Sequence, residues 1–204
     1  MTGFANVNKV FQLFITDILN TVYSSLGWSL LTAFLCIFIY LYACKSEEAG
    51  RGLQGAVKSG FKTLVKDHTA QKIFLLSLYT CMVFFRTLFN RNFWLNPLSN
   101  VFDGWWIWNT AADGTKTLSS ECFENMALLM PVVGIAIWTF PNWFKKTGYI
   151  KGSFILAGSI SLFIESCQLF FRLGTFQFSD LTYNTLGGLL IGCVVKLCDL
   201  GEKR

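Results

Sequence analysis

The chain has 204 residues, 53% of them hydrophobic and only 14% charged, with a net charge of +5, whereas ordinary soluble domains carry about 25% charged residues. That composition excludes a soluble globular domain and places any function in a membrane or at its surface. Five spans and their connections use nearly the whole length, so no separate soluble domain fits and no nucleic-acid partner is expected.

In chain order, Phe4, Val7, Val10, Phe11, Phe14, Ile15 and Ile18 recur every three to four residues, which predicts an amphipathic outer helix over 1–21. No basic region with a small-residue cleavage site precedes it, so Met1 onward is expected to be retained. An uncharged run from Ile18 to Cys44 supplies the first span, placed at 22–44; a bilayer core needs ~20 residues of helix and as few as ~17. Residues 45–72 form a basic connection. There Leu53, Val57, Phe61, Leu64 and Val65 repeat at helical spacing while Lys58, Lys62 and Lys66 form a stripe, the pattern of a helix lying on an anionic inner leaflet.

The second span is placed at 73–90 and tolerates Arg86. An outer loop, 91–121, follows with Phe93, Trp94, Phe102, Trp105, Trp106 and Trp108. Aromatics at that density anchor a loop at headgroup level or offer a platform for a lipid tail or sugar ring. Spans at 124–144, 152–171 (tolerating Glu165) and 180–196 complete the chain, with an inner tail at 197–204. The fold class expected is an all-α polytopic bundle of about five transmembrane helices with amphipathic interfacial helices.

Seven cysteines are scattered without a CxxC and read as small apolar packing residues. The one histidine, His68, sits among lysines, which excludes a His-based metal site, and no cofactor is implied. Basic residues fix the orientation. Lys45, Arg51, Lys58, Lys62, Lys66 and Lys72, then Lys145, Lys146 and Lys151, then Lys196, Lys203 and Arg204 fall on one side; Lys9, Arg91, Lys116 and Arg172 fall on the other. The bias predicts a cell-membrane protein with its N-terminus outside and its C-terminus cytoplasmic.

Ionisable residues inside spans are costly and so informative. Ser161, Glu165, Gln168 and Arg172 share an arc of about 60° on the fourth span at 100° per residue. On the fifth, Asp180 and Asn184 lie one turn apart on a face continued by Gly187 and Ile191, and Gly188 with Gly192 forms a small-xxx-small pair suited to close helix approach. Arg86 shares a face with Tyr79 and Met82, near Asn90, and Glu121, Glu124 and Asn125 open the third span. With the orientation applied, every embedded charge falls in the outer half.

The arrangement expected is a pocket open to the outer surface. Arg86 and Arg172 would hold a phosphate or carboxylate, which suits the guanidinium fork. Glu165 is the candidate general acid or base, with Glu124 or Asp180 as partner, and Asn125, Gln168 and Asn184 would orient the ligand. With no Ser-His-Asp set, no outer Cys-His pair and no metal site, catalysis stays open. The competing reading is a non-enzymatic scaffold in which the same charges form an ion-pair network fixing helix register.

The stretch Ser161-Leu-Phe-Ile-Glu165-Ser-Cys-Gln168, then Arg172, then Asp180-Leu-Thr-Tyr-Asn184-Thr-Leu-Gly187-Gly188 resembles the signature of the VanZ-like membrane proteins. Arg86, Leu95-Asn96-Pro97 and the segment from Glu124-Asn125 through Pro131 to Gly134 resemble its remaining blocks, in order from about Tyr79 to Gly192. The resemblance implies a multi-pass protein associated with resistance to teicoplanin and related lipoglycopeptides. The partners it suggests are membrane lipids and a lipid-linked cell-wall precursor or the lipoglycopeptide itself.

Overall fold

A computed structural model describes residues 2–89, 91–110 and 116–202. Expectations resting on Asn90, Lys203 and Arg204, and on the side chains of Phe4, Val7, Trp108 and Lys116, lie outside the described residues. Helix α1 (Thr2–Cys44) contains no proline, and no break separates the outer segment expected at 1–21 from the first span. At 1.5 Å per residue, Asp17 to Cys44 covers about 40 Å, the thickness of a bilayer with its headgroups. The residues ahead of Asp17 therefore continue the same helix beyond that thickness instead of starting a separate one. Tyr23, Leu31, Leu35 and Ile39 remain exposed, as expected of a helix apolar all round.

A short 3₁₀ turn, Ser46–Glu48, leads into α2 (Gly52–Lys66), whose Leu53, Phe61 and Val65 are exposed. Asp67 ends α2, its N–H bonding to the Thr63 carbonyl, and at once caps α3 (His68–Phe84) by accepting from the Thr69 N–H at 2.8 Å. Its other carboxylate oxygen meets Lys45 Nζ at 2.9 Å and the Tyr40 hydroxyl at 3.0 Å. Burial on its own would raise the Asp67 pKa, but Lys45, the Thr69 N–H and Tyr40 outweigh it and hold it down at about 2. Three helices are thus tied at one side chain. Helix α3 closes with a π-turn, Phe85–Phe89.

The third span is broken where the sequence suggests a continuous run. Helix α4 (Glu121–Leu128) stops at Leu129, and α5 (Met130–Thr139) restarts with a proline in its first turn, because Pro131 has no N–H to continue the ladder. Phe140 breaks the chain again, and Pro141 opens the short α6 (Pro141–Thr147). The segment long and apolar enough to cross a membrane here is Glu121–Thr139, where the sequence places a span at 124–144. Gly148, at φ +90°, turns the chain into α7 (Tyr149–Phe171), and α8 (Phe178–Glu202) completes the bundle.

Among the described residues, five segments are long and apolar enough to cross a membrane: Asn8–Cys44, His68–Phe89, Glu121–Thr139, Tyr149–Phe171 and Phe178–Gly201. Helix α7 packs most extensively on α8, α1 on α3, and α8 also contacts α4 and α5. A Cβ at Gly188 would press on Ala157, one at Gly192 on Ser153, and one at Gly187 would overlap the Met126 carbonyl of α4. Small residues thus set the approach on two sides of α8. The core joins Val83, Leu129, Val132, Val133, Phe144, Ala157 and Ile164. An antiparallel ribbon in the long loop, β1 (Trp108–Thr110) against β2 (Lys116–Leu118), pairs Asn109 with Thr117.

Candidate functional site

Arg86 at the end of α3, Glu124 at the start of α4 and Asp180 at the start of α8 meet at one end of the bundle, around a cavity of about 900 Å³. Arg86 forms an ion pair with Glu124, and its other terminal nitrogen donates to the Thr21 hydroxyl of α1 at 2.6 Å. The Ser120 hydroxyl donates to the second Glu124 oxygen, so this buried carboxylate is satisfied on both sides. Asn125 Nδ2 donates to Asp180 Oδ1 at 2.6 Å, joining α4 to α8.

The remaining predicted residues lie elsewhere. Glu165 is 1% exposed and accepts from the Gln177 N–H at 3.0 Å; it stands behind the cavity wall, not in it. Gln168 donates to the Thr87 carbonyl at 2.9 Å and Asn184 to the Ser161 hydroxyl at 3.1 Å, and both are buried between helices. Arg172, exposed and left-handed at the end of α7, uses its carbonyl to accept the Trp94 N–H at 2.8 Å. It does not line the cavity.

Arg91 takes the place expected of Arg172. It lines the cavity with Arg86 and attracts Asp180 and Glu165 electrostatically. Asp17, Asp103 and Glu121 also line it, so five carboxylates face two guanidiniums, an acidic excess. Asp17 lies one residue outside the uncharged run that defined the first span, and Asp103 and Arg91 read as ordinary loop charges. The signal that finds Arg91 is its spacing five residues beyond Arg86, across a π-turn of the kind that accumulates at functional sites.

The aromatic loop is built into the wall. Phe176 N–H bonds to the Pro97 carbonyl at 2.8 Å, Phe178 N–H to that of Val101 at 3.0 Å, and the Ser179 hydroxyl to that of Asp103 at 2.7 Å. Phe102 stacks on Phe178, and Trp105 packs on Tyr183. Trp94, Phe102 and Trp105 line the cavity, which gives a polar floor of guanidinium and carboxylate an aromatic rim. Among the described residues, no group of three or more His, Cys, Asp or Glu is placed to hold a metal ion.

Five apolar crossing helices with a charged cavity at one end define a multi-pass membrane protein. The family described as VanZ/LLP1 matches residues 33–199, and the chain belongs to that family. The match begins inside α1, well ahead of the blocks from about Tyr79 that carry the resemblance. No curated protein and no solved structure matches the chain.

Proposed function

We propose that the protein sits in the cell membrane with its N-terminus outside and takes an envelope amphiphile into the cavity, thereby modulating susceptibility to teicoplanin-type lipoglycopeptides. The observation that supports this reading is the composition of the cavity: Arg86 and Arg91 beside Asp180 and Glu124 on the floor, Trp94 and Trp105 at the rim. Guanidinium groups suit a phosphate or carboxylate, carboxylates suit an amine or hydroxyl, and the rings suit a sugar or lipid tail. A lipid-linked wall precursor offers all of these, as does the lipoglycopeptide. Glu124 and Asp180 line the cavity, so a proton would pass to the ligand from them, with Glu165 behind the wall.

The second reading, a scaffold held by a structural ion network, is favoured by the closed Arg86–Glu124–Ser120 arrangement. The two separate on teicoplanin and vancomycin susceptibility of a host expressing the wild type, Arg91→Gln and Asp180→Asn, with membrane levels quantified. Loss of protection at normal protein levels supports the ligand reading; unchanged protection supports the scaffold. Orientation is checked with single cysteines in a background lacking native ones. Thr175→Cys should react with an impermeant thiol reagent and Ser59→Cys should not.

A further inference from the structure

A second cavity, of about 850 Å³, lies at the opposite end of the bundle between α6, α7 and α8. Helix α7 runs from Tyr149 to Phe171, so the two cavities are separated by about 33 Å at 1.5 Å per residue. The second has a different character. Lys145, Lys151 and Lys196 reach it from three different helices, while Ile150, Phe154, Leu189 and Leu200 form its apolar side. The lysines are exposed and take part in no ion pair among the described residues. Asp199, the acidic residue at its edge, is engaged in a contact of its own.

The start of α7 adds to this positive field. Its N-cap is Gly148, with no side-chain cap and no acid in the first turn, so the orphan N–H groups of that turn point out of the helix without a side-chain acceptor. A lysine at position 151, in the first turn, works against the helix dipole by about 0.3–1 kcal/mol, a cost that a bound anion would relieve. The Gly192 contact with Ser153 and Tyr149 holds α8 against this turn, which brings Lys196, one turn further along α8, to the same opening. Basic pockets between membrane helices, walled by apolar side chains, recognise lipid phosphates.

We propose that this cavity binds an anionic diacyl phospholipid from the leaflet at that end, its phosphate on Lys145, Lys151 and Lys196 and its first acyl carbons on Ile150, Phe154 and Leu189. The apolar wall selects a lipid over a soluble phosphate ester, because half of the opening offers such an ester nothing. A volume near 850 Å³ falls within the usual range for a small-molecule site. The site is independent of the acidic cavity and of the function assigned to it.

Native mass spectrometry of the full-length protein, exchanged from micelles containing equal phosphatidylglycerol and phosphatidylcholine, tests this. The wild type should retain phosphatidylglycerol about tenfold over phosphatidylcholine, Lys151→Gln with Lys196→Gln should abolish the preference, and Lys151→Arg with Lys196→Arg should restore it. Circular dichroism confirms that each variant is folded. Equal retention of the two lipids by the wild type overturns the proposal. So does loss of the preference in Lys58→Gln with Lys62→Gln of α2 while the cavity variant keeps it, since the lipid would then sit on the surface helix. Displacement of the bound lipid by millimolar glycerol phosphate overturns it in favour of a soluble ligand.

Discussion

At the cavity end Arg86, Glu124 and Asp180 are drawn inside the bundle and face one another across helices α1, α3, α4 and α8. At the other end Lys45, Asp67 and Lys72 stay at the rim, with Lys45 on Asp67 and Lys72 over the Trp138 ring at 4.9 Å. The difference separates two uses of charge. Rim charges remain near water, cost little to place and tie neighbouring segments together. Interior charges cost several kcal/mol each to desolvate, and the fold offsets that cost by closing Arg86 on Glu124 and Asn125 on Asp180 beside the cavity, whereas Arg91, Asp103 and Glu121, which also line it, are exposed.

The contrast predicts a graded series of effects. Arg86→Ala strands the Glu124 carboxylate in the interior and should destabilise the protein by about 3–5 kcal/mol, read by unfolding in mixed micelles; Arg86→Ala with Glu124→Gln should recover part of that loss. Gly187→Ala drives a Cβ into the Met126 carbonyl and should cost up to about 3 kcal/mol, opening the α4–α8 contact that supports Asn125 and Asp180. A normal unfolding midpoint for that variant would show that the cavity walls do not depend on this approach.

At the rim the effects shrink. Asp67→Ala removes a helix cap and an ion pair together and should cost about 1–2 kcal/mol. The Asp67 pKa is held at about 2 when folded, below its ordinary value of 3.8. Its contribution is therefore fully present above pH 4 and lost as the pH falls toward 2. Asp67→Asn should flatten the stability profile in that window by lowering stability at neutral pH, by about 1 kcal/mol, while matching the wild type near pH 2. Smallest of all, Arg91→Gln should shift stability by no more than about 0.5 kcal/mol, since Arg91 makes no ion pair among the described residues. A larger shift would move Arg91 into the structural network with Arg86.

Much of this was legible in the sequence. Hydropathy and run length give five crossings, and the Gly188–Gly192 spacing gives the close packing of α7 on α8. Helical periodicity finds the polar faces of α7 and α8, but periodicity assigns direction, not depth. Glu165, Gln168 and Arg172 share an arc, yet the first two face packed helices while Arg172 lies where the helix has already ended in a left-handed turn. Asp17, Asp103 and Arg91 carry no such signal, because their place depends on how α1 and the loop over 91–120 fold against the bundle. That placement rests on backbone bonds such as Trp94 to Arg172, which leave no mark in side-chain pattern. The span breaks at Leu129 and Phe140 could be read from Pro131 and Pro141, which hydropathy alone passes over.

Asp67 serves as the last residue of one helix and the cap of the next, so no slack exists between α2 and α3. Adding one residue within α3 would turn everything downstream by 100°, carrying Arg86 away from Glu124 at the far end of the same helix. Composition along α3 could drift a long way among apolar residues without harm, but its phase could not. The register of the charged cavity is thus set along the whole length of α3, by its packing on α1 and α5.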